Sequence, residues 1–204
     1  SKPNIFIYIA DDQNSWDYFS FGNTQVKTTN FDRLVNEGLS FSNAYTTQAI
    51  CAPSRSQLFT GLFPMKNGCF ANHLPVRNVK DINDYMTELG YDVVLAGKGH
   101  IKPNSVFNWT RYFSTNSDRL IPVNKVEDYI TNTEKPVCII FSSDLPHGPY
   151  PKSSDYNKKP LDYDPSSKII SSKIGNHKAG YYKNIEKDND QLGRVLNMLE
   201  TVSD

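Results

Sequence analysis

Three short apolar runs, Ile5–Ala10, Tyr91–Ala96 and Pro136–Phe141, constrain the fold more than anything else in the chain. Runs this short and this continuous are expected of strands covered on both faces, as in parallel sheets whose crossovers lay helices over them. Each run breaks off into polar residues. The first ends in Asp11-Asp12-Gln13, the second in Gly97-Lys98-Gly99-His100, and the third in Ser142-Ser143-Asp144-Leu145-Pro146-His147-Gly148-Pro149-Tyr150. Open α/β sheets bind ligands outside the carboxyl ends of their strands. The expected architecture is therefore α/β with a largely parallel central sheet, and the chemistry is expected at these strand tips.

Between the runs the pattern turns helical. Thr28-Thr29-Asn30 is expected to cap a short helix over Phe31–Glu37 that Gly38 closes. Asp81–Leu89 reads as amphipathic, with Ile82, Tyr85, Met86 and Leu89 on one side and Gly90 as the stop. Val126–Ile130 predicts another short helix. A long one is predicted over Asn176–Glu200, where Tyr181, Ile185, Asp188, Leu192, Val195, Leu196 and Leu199 recur at helical spacing. Asp188 in that row is expected to be a structural partner rather than a ligand. Leu39–Tyr45 alternates like a strand. Residues 101–124 look irregular, and their aromatics Phe107, Trp109, Tyr112 and Phe113 suit either a packed surface loop or a stacking wall for a sugar. Residues 151–175, rich in Pro, Lys, Ser and Asp, are expected to make a long surface excursion.

The most unusual string is Cys51-Ala52-Pro53-Ser54-Arg55-Ser56-Gln57-Leu58-Phe59-Thr60-Gly61. Pro53 suits the first turn of a helix, where its missing N–H costs nothing. Leu58 and Phe59 are expected to face inward, and Gly61 to end the helix. Cys51 then stands at or just before a helix N-terminus, where unpaired N–H groups and the dipole favour an anion. Arg55, one turn on, adds a planar cationic fork suited to a tetrahedral oxyanion. The plain alternative is a buried cysteine ahead of an ordinary helix. Arg55 stands four residues after Cys51, too close for the phosphate loop of a cysteine phosphatase.

Adjacent carboxylates at a strand tip repel each other, and a hard divalent cation with oxygen ligands relieves the repulsion. Asp11 and Asp12 are thus candidate metal ligands, a solvated turn being the alternative. His73, in the polar stretch Asn67–His73, reads by itself as a surface histidine.

Bulk properties exclude some classes. The 204 residues carry 22 basic and 22 acidic side chains, and a balanced charge argues against general nucleic-acid binding. No apolar run reaches the length of a membrane span, and no signal peptide is visible ahead of the first strand, a leader removed or outside this sequence being the alternative. Three cysteines make no disulfide framework, and Cys138 reads as core. Asn108-Trp109-Thr110 is a glycosylation sequon, meaningful only in a eukaryotic secretory setting.

Cys51-Ala52-Pro53-Ser54-Arg55 resembles the signature of the formylglycine-dependent sulfatases of the alkaline phosphatase superfamily, in which the cysteine is oxidised after synthesis to formylglycine. The order strand, Asp11-Asp12, capped helix, short strand, signature is also similar to that family, as are Gly97-Lys98-Gly99-His100, the Pro-His-x-Pro-Tyr segment Pro146–Tyr150, and the long helix with Asp188. The resemblance implies a three-layer α/β sandwich, with residues 1–204 as the N-terminal portion of the catalytic domain. It places the end of the chain before the last catalytic strand, its further metal ligands and the C-terminal subdomain. Two protein carboxylates and one formylglycine oxygen are few for calcium, which takes about six to eight oxygens. Weak metal binding and poor turnover are therefore expected of this polypeptide alone.

The family resemblance also implies the roles. Asp11, Asp12 and the oxygen derived from Cys51 would hold calcium, with magnesium as the alternative. A hydroxyl of the hydrated aldehyde at position 51 would attack sulfur, and Arg55, Lys98 and His147 would neutralise the sulfuryl oxygens. His147 would protonate the leaving group. His100 would deprotonate the second hydroxyl, which then expels sulfate. Where the family carries a bulky residue, this chain has Gly99, which implies more room beside His100.

Asn67–His73 and residues 97–107 look most like the sulfamidase-like members, with His73 lining the substrate pocket, and imply a sulfated amino sugar or related glycan. The resemblance further implies a formylglycine-generating or anaerobic maturation enzyme as partner, and a periplasmic, secreted or lysosomal location. A phosphonate or phosphodiester hydrolase of the same superfamily and a non-catalytic glycan-binding remnant are the rival functions.

Overall fold

The computed structural model describes residues 2–152 and 172–202, so most of the excursion expected over 151–175 lies outside the described residues. The chain divides into two compact units, residues 1–9 with 41–142 and residues 10–40 with 143–204.

The sheet contains β1 (Ile5–Asp11), β2 (Asp92–Gly97), β3 (Arg111–Phe113) and β4 (Val137–Pro146) in the order β1-β4-β2-β3. β2 runs parallel to both β3 and β4. The fold is thus α/β with a parallel sheet, as the apolar runs predict. Val93, Val94, Ile139 and Ile140 have no accessible surface, which is the two-sided cover expected of β2 and β4. β1 departs from that expectation. It has β4 on one side only among the described strands, and its residues 5–10 are half-buried. β3 was not predicted, because three residues are too short to show a period of two. Its pairing of Arg111, Tyr112 and Phe113 with Val94, Leu95 and Ala96 makes it a strand.

In the first unit, one sheet face is built by alternate residues. Leu95, Ile140, Ile7 and Ile9 pack with Ala52 and Phe59 of helix α2 (Cys51–Thr60). Val93, Cys138 and Ile5 pack with Tyr91 and with Ile82 and Met86 of helix α4 (Ile82–Glu88). Each such side chain taken wholly from water contributes about 1.5–3 kcal/mol. α4 begins in a capping box, with Asp81 accepting the Asn83 and Asp84 N–H groups and Asp84 accepting that of Asp81. Helix α5 (Val123–Asn132) is longer than the predicted Val126–Ile130. Its Tyr129 donates a 2.9 Å hydrogen bond to the Asp92 carboxylate.

Two other expectations for this unit change. Leu39–Tyr45 is not a strand: Leu39, Phe41 and Tyr45 are exposed, and the segment pairs with no described strand. Alternation alone does not make a strand without an edge to take its backbone groups. Phe107 is core and Trp109 is partly buried against it, at ring-centroid distances of 6.3 and 5.5 Å from Phe59, so the pair is used in packing rather than as an open sugar platform.

In the second unit, helix α6 (Ser172–Val202) packs against helix α1 (Thr29–Glu37). Thr28 occupies the N-cap of α1, but its side chain does not cap the helix. Instead Asn189 of α6 accepts the N–H groups of Asn30 and Phe31, at 2.8 and 3.3 Å. Gly193 leaves room for the Asn30 side chain, since a Cβ there would lie 2.5 Å from Asn30 Nδ2. Tyr181, Tyr182 and Ile185 of α6 bury Val26. Asp188 is structural, as expected: it is buried and accepts hydrogen bonds from Ser143 Oγ at 2.5 Å and Gln191 Nε2 at 3.0 Å.

Candidate active site

In the first unit, Cys51 is the first residue of α2, and Ile50 at the N-cap supplies no side-chain cap. Pro53 has no N–H to leave unpaired, and the Ala52 N–H is taken by Asn72 Oδ1 at 3.1 Å. The helix ends at Gly61, which is left-handed with φ of 68°. Phe59 faces inward as expected, but Leu58 is 54% exposed. Neighbouring helix positions point about 100° apart, and here that turns Leu58 away from the face that Phe59 buries.

Arg55, one turn into α2, is 4% exposed, and its Nη1 donates to the Ser142 hydroxyl. Ser142 in turn holds Lys98. Its hydroxyl donates to the Lys98 carbonyl at 2.6 Å, and its own carbonyl accepts the Lys98 N–H at 2.7 Å. This grip requires Gly97, whose φ is 115° and whose Cβ, if it had one, would lie 2.0 Å from the Ser142 carbonyl oxygen. The room expected beside Gly99 is filled by Tyr112, whose hydroxyl would sit 3.2 Å from a Cβ there and donates to the Gly97 carbonyl at 3.1 Å. His73 and His100 both adopt positive φ, 71° and 54°, and their rings lie 5.8 Å apart. Such backbone angles in non-glycine residues cluster at functional sites.

Asn67, the last residue of the short helix α3 (Pro64–Asn67) and five residues before Asn72, is a rivet for this region. It is fully buried and donates to Ser56 Oγ, Thr60 Oγ1 and the Leu62 carbonyl. The other two thiols are unsuited to chemistry. Cys69 and Cys138 are each 1% exposed, and burial pushes both thiols up, that of Cys138 to about 11.

In the second unit, Asp11 ends β1 with its side chain buried, and Asp12 follows at φ of 66°. Tyr181 of α6 latches this turn: its hydroxyl donates to the Asp12 carbonyl at 3.2 Å and accepts the Asn14 N–H at 2.9 Å. Burial, with the nearby Asp17 charge, pushes the Tyr181 hydroxyl far above the usual tyrosine range, so it stays a donor. His147 Nδ1 lies 2.7 Å from the Gly148 carbonyl, which can only accept, so Nδ1 carries a proton. That leaves Nε2 3.7 Å from Asp12 Oδ2. Buried Asn184 of α6 donates to the carbonyls of Pro146, His147 and Pro149 at 3.4, 3.3 and 3.2 Å, holding the histidine segment from behind. The two hard carboxylates of Asp11 and Asp12, one buried and one exposed, fit an oxygen-preferring cation such as calcium or magnesium.

The structure thus brings Arg55 and Lys98 together through Ser142, His73 beside His100, and His147 beside Asp12. Ser142, Asn72, Tyr181 and Asn184 carry positions that the sequence did not assign to them. Ser142 had a signal in principle, its place at the tip of an apolar run. Its partner became definite only through the register that sets Gly97 opposite it.

The sulfatase family model matches residues 3–204. An ulvan-active sulfatase of Formosa agariphila is 45% identical over 98% of this chain, which spans 42% of that protein's length. The structure of BT4656, solved in complex with its substrate D-glucosamine-2-N,6-O-disulfate, superposes with a TM-score of 0.80 at 16% identity. That match covers 99% of this chain and 63% of the other. A phosphonate monoester hydrolase of Agrobacterium radiobacter superposes with a TM-score of 0.76 at 17% identity, covering 98% and 60%. At such identities the structural matches establish the alkaline phosphatase-like fold, and the family follows from the sequence matches: the chain belongs to the sulfatase family.

Proposed function

We propose that the protein containing this chain hydrolyses sulfate groups on a carbohydrate, with residues 1–204 as the N-terminal portion of its catalytic domain. The family generally uses a metal ion and a formylglycine. Here Cys51 is the residue to be converted, by a formylglycine-generating or anaerobic maturation enzyme, and Asp11 and Asp12 hold the cation, calcium before magnesium. Those groups would supply an acidified geminal hydroxyl as nucleophile and a second hydroxyl to release sulfate.

The chain's own residues do the rest. Arg55 and Lys98 offset the charge that grows on the sulfuryl oxygens. Ser142 keeps them in register. His147, its Nδ1 proton committed to Gly148, presents Nε2 to the leaving group, and Asn184 fixes that orientation. His100 takes the proton from the second hydroxyl, with His73 beside it as a substrate contact. The observation that carries the reading is the buried Arg55 joined through Ser142 to Lys98, in the same helix as Cys51. Arg55 is buried one turn after Cys51, where its guanidinium could meet an anionic sulfuryl group.

The substrate class is a sulfated glycan. The name of the Formosa relative supports it, and so does the sulfated amino sugar bound by BT4656. A phosphonate or phosphate ester substrate is the second reading, favoured by the fold shared with the Agrobacterium enzyme. The test is turnover of an aryl sulfate, an aryl phosphate and a phenyl phosphonate by the matured protein, with Cys51→Ser as control. Faster sulfate release that Cys51→Ser abolishes supports the sulfatase. Faster phosphonate release overturns it in favour of the second reading.

A further inference from the structure

Beside Asp12 in the second unit lies a cavity of about 360 Å³, lined by Asp12, Asp17, Tyr150, His177, Lys178 and Tyr181 among others. That volume is within the range of small-molecule pockets, about 300–1,000 Å³. None of the roles assigned above uses Tyr150, His177 or Lys178. We propose that this cavity is a subsite for a pyranose ring of the substrate, seated against Tyr150 and His177 and hydrogen-bonded to the Lys178 ammonium, which the buried Asp17 anchors. The proposal rests on the sulfated-glycan reading and extends it to named side chains.

The chemistry of the lining selects a sugar ring over a second sulfate. Lys178 Nζ lies 3.2 and 3.3 Å from the two oxygens of Asp17, which is 1% exposed. It also lies 5.0 and 5.2 Å from the ring centroids of Tyr181 and Tyr182. The ammonium is therefore matched by a buried carboxylate and held in place by two aromatic faces. The partly exposed ammonium still offers N–H donors to hydroxyl groups, but with its charge matched it has little net attraction for another anion. The aromatic side suits the C–H face of a pyranose. Tyr150 stands edge-on to Tyr181 and to His177, with centroids 5.9 and 6.4 Å apart. It remains 38% exposed, enough to leave aromatic surface for a ligand.

The wall is set by the helix rather than by a loose loop. Gly180 of α6 has no Cβ, and one there would lie 2.4 Å from the Pro151 carbonyl oxygen and 2.9 Å from Tyr150 Cβ. Asn184 holds the Pro149 carbonyl from the same helix. Packing of this kind locks the position of a binding side chain.

The experiment is calorimetric titration of the full-length matured protein with desulfated ulvan oligosaccharides, in parallel with turnover of the sulfated oligosaccharides and of an aryl sulfate. The variants are Tyr150→Ala and His177→Ala. The expected result is measurable binding of the desulfated sugar, weakened about tenfold in either variant. The ratio of kcat/KM for the glycan to that for the aryl sulfate should fall by a similar factor. No binding by the unsubstituted protein, or equal binding by both folded variants, overturns the subsite. Sugar binding that depends on Tyr150 without release of sulfate from any ester upholds the subsite and overturns the sulfatase reading alone.

Discussion

Ser142 grips Lys98 by both sides of its backbone, accepting the Lys98 N–H at 2.7 Å and donating its hydroxyl to the Lys98 carbonyl at 2.6 Å. The same hydroxyl accepts from Arg55. One small residue therefore ties the Arg55 guanidinium to the Lys98 backbone, 43 residues apart in sequence (98 − 55). Replacing it by alanine leaves a buried donor and a buried acceptor short of a partner, at a cost of about 1–3 kcal/mol. Ser142→Ala is expected to fold, to melt a few degrees lower, and to lose about tenfold or more in kcat on an aryl sulfate. Melting curves and steady-state kinetics on the matured protein check both effects. Unchanged kcat would show that Ser142 serves stability alone.

Gly97 is expected to be far less tolerant. A Cβ would stand 2.0 Å from the Ser142 carbonyl oxygen, and the φ of 115° suits only glycine. Gly97→Ala should destabilise by more than about 3 kcal/mol, since it breaks the pairing between β2 and β4 next to the site. Soluble yield and urea midpoint report it. A midpoint like that of the unsubstituted protein would contradict the geometry.

Tyr181 predicts a metal effect. Its hydroxyl ties the Asp12 carbonyl to the Asn14 N–H, and Phe at this position keeps the ring and removes the tie. Supporting contacts to metal ligands typically cost about 10–100-fold in affinity when lost. Tyr181→Phe is expected to weaken calcium binding within that range while circular dichroism stays unchanged. Asp11→Asn should weaken it further. Equal calcium affinity in all three proteins would remove the metal role from this strand tip.

Alkaline pH predicts a stability loss at a known place. Desolvation first, then the Asp92 carboxylate, pushes the Tyr129 hydroxyl up from 10.0 to about 12. A group whose folded pKa is raised favours the folded state below its unfolded pKa. Its contribution is lost as pH rises from about 10 toward 12, where the unfolded chain releases the proton first. Stability should fall over that window, and less steeply in Tyr129→Phe. Urea midpoints measured from pH 9 to 12 on both proteins give the difference directly.

The cysteines offer a direct readout of maturation. In protein made without the maturation enzyme, iodoacetamide at mildly alkaline pH is expected to label Cys51. Cys69 and Cys138 should be spared, because both are 1% exposed and burial raises their thiols. After maturation, labelling at position 51 should vanish and the peptide mass should shift to that of formylglycine. Labelling of Cys69 or Cys138 ahead of Cys51 would contradict the packing.

Much of the fold was legible because local rules and tertiary packing agree. Pro53 and Gly61 bound α2, Asp81 and Gly90 bound α4, and the apolar row from Tyr181 to Leu199 marks α6. Failures came where a segment depended on a distant partner. Leu39–Tyr45 alternates but pairs with no described strand. Arg111–Phe113 is a strand because β2 accepts it. The N–H groups of α1 go to Asn189, 159 residues away, rather than to Thr28.

The site divides in the same way. The sequence by itself determined the chemical parts, a cysteine at a helix start, cations at Arg55 and Lys98, carboxylates and histidines at strand tips, because residue type and local turn chemistry suffice to place them. Only the tertiary structure decided how those parts are held. The register of β2 on β4 made Ser142 the link between Arg55 and Lys98, and α6 supplied Tyr181, Asn184 and the cavity beside Asp12. Such contacts join residues remote in the chain, and hydrogen-bond geometry at that range is settled by packing, which no local pattern encodes.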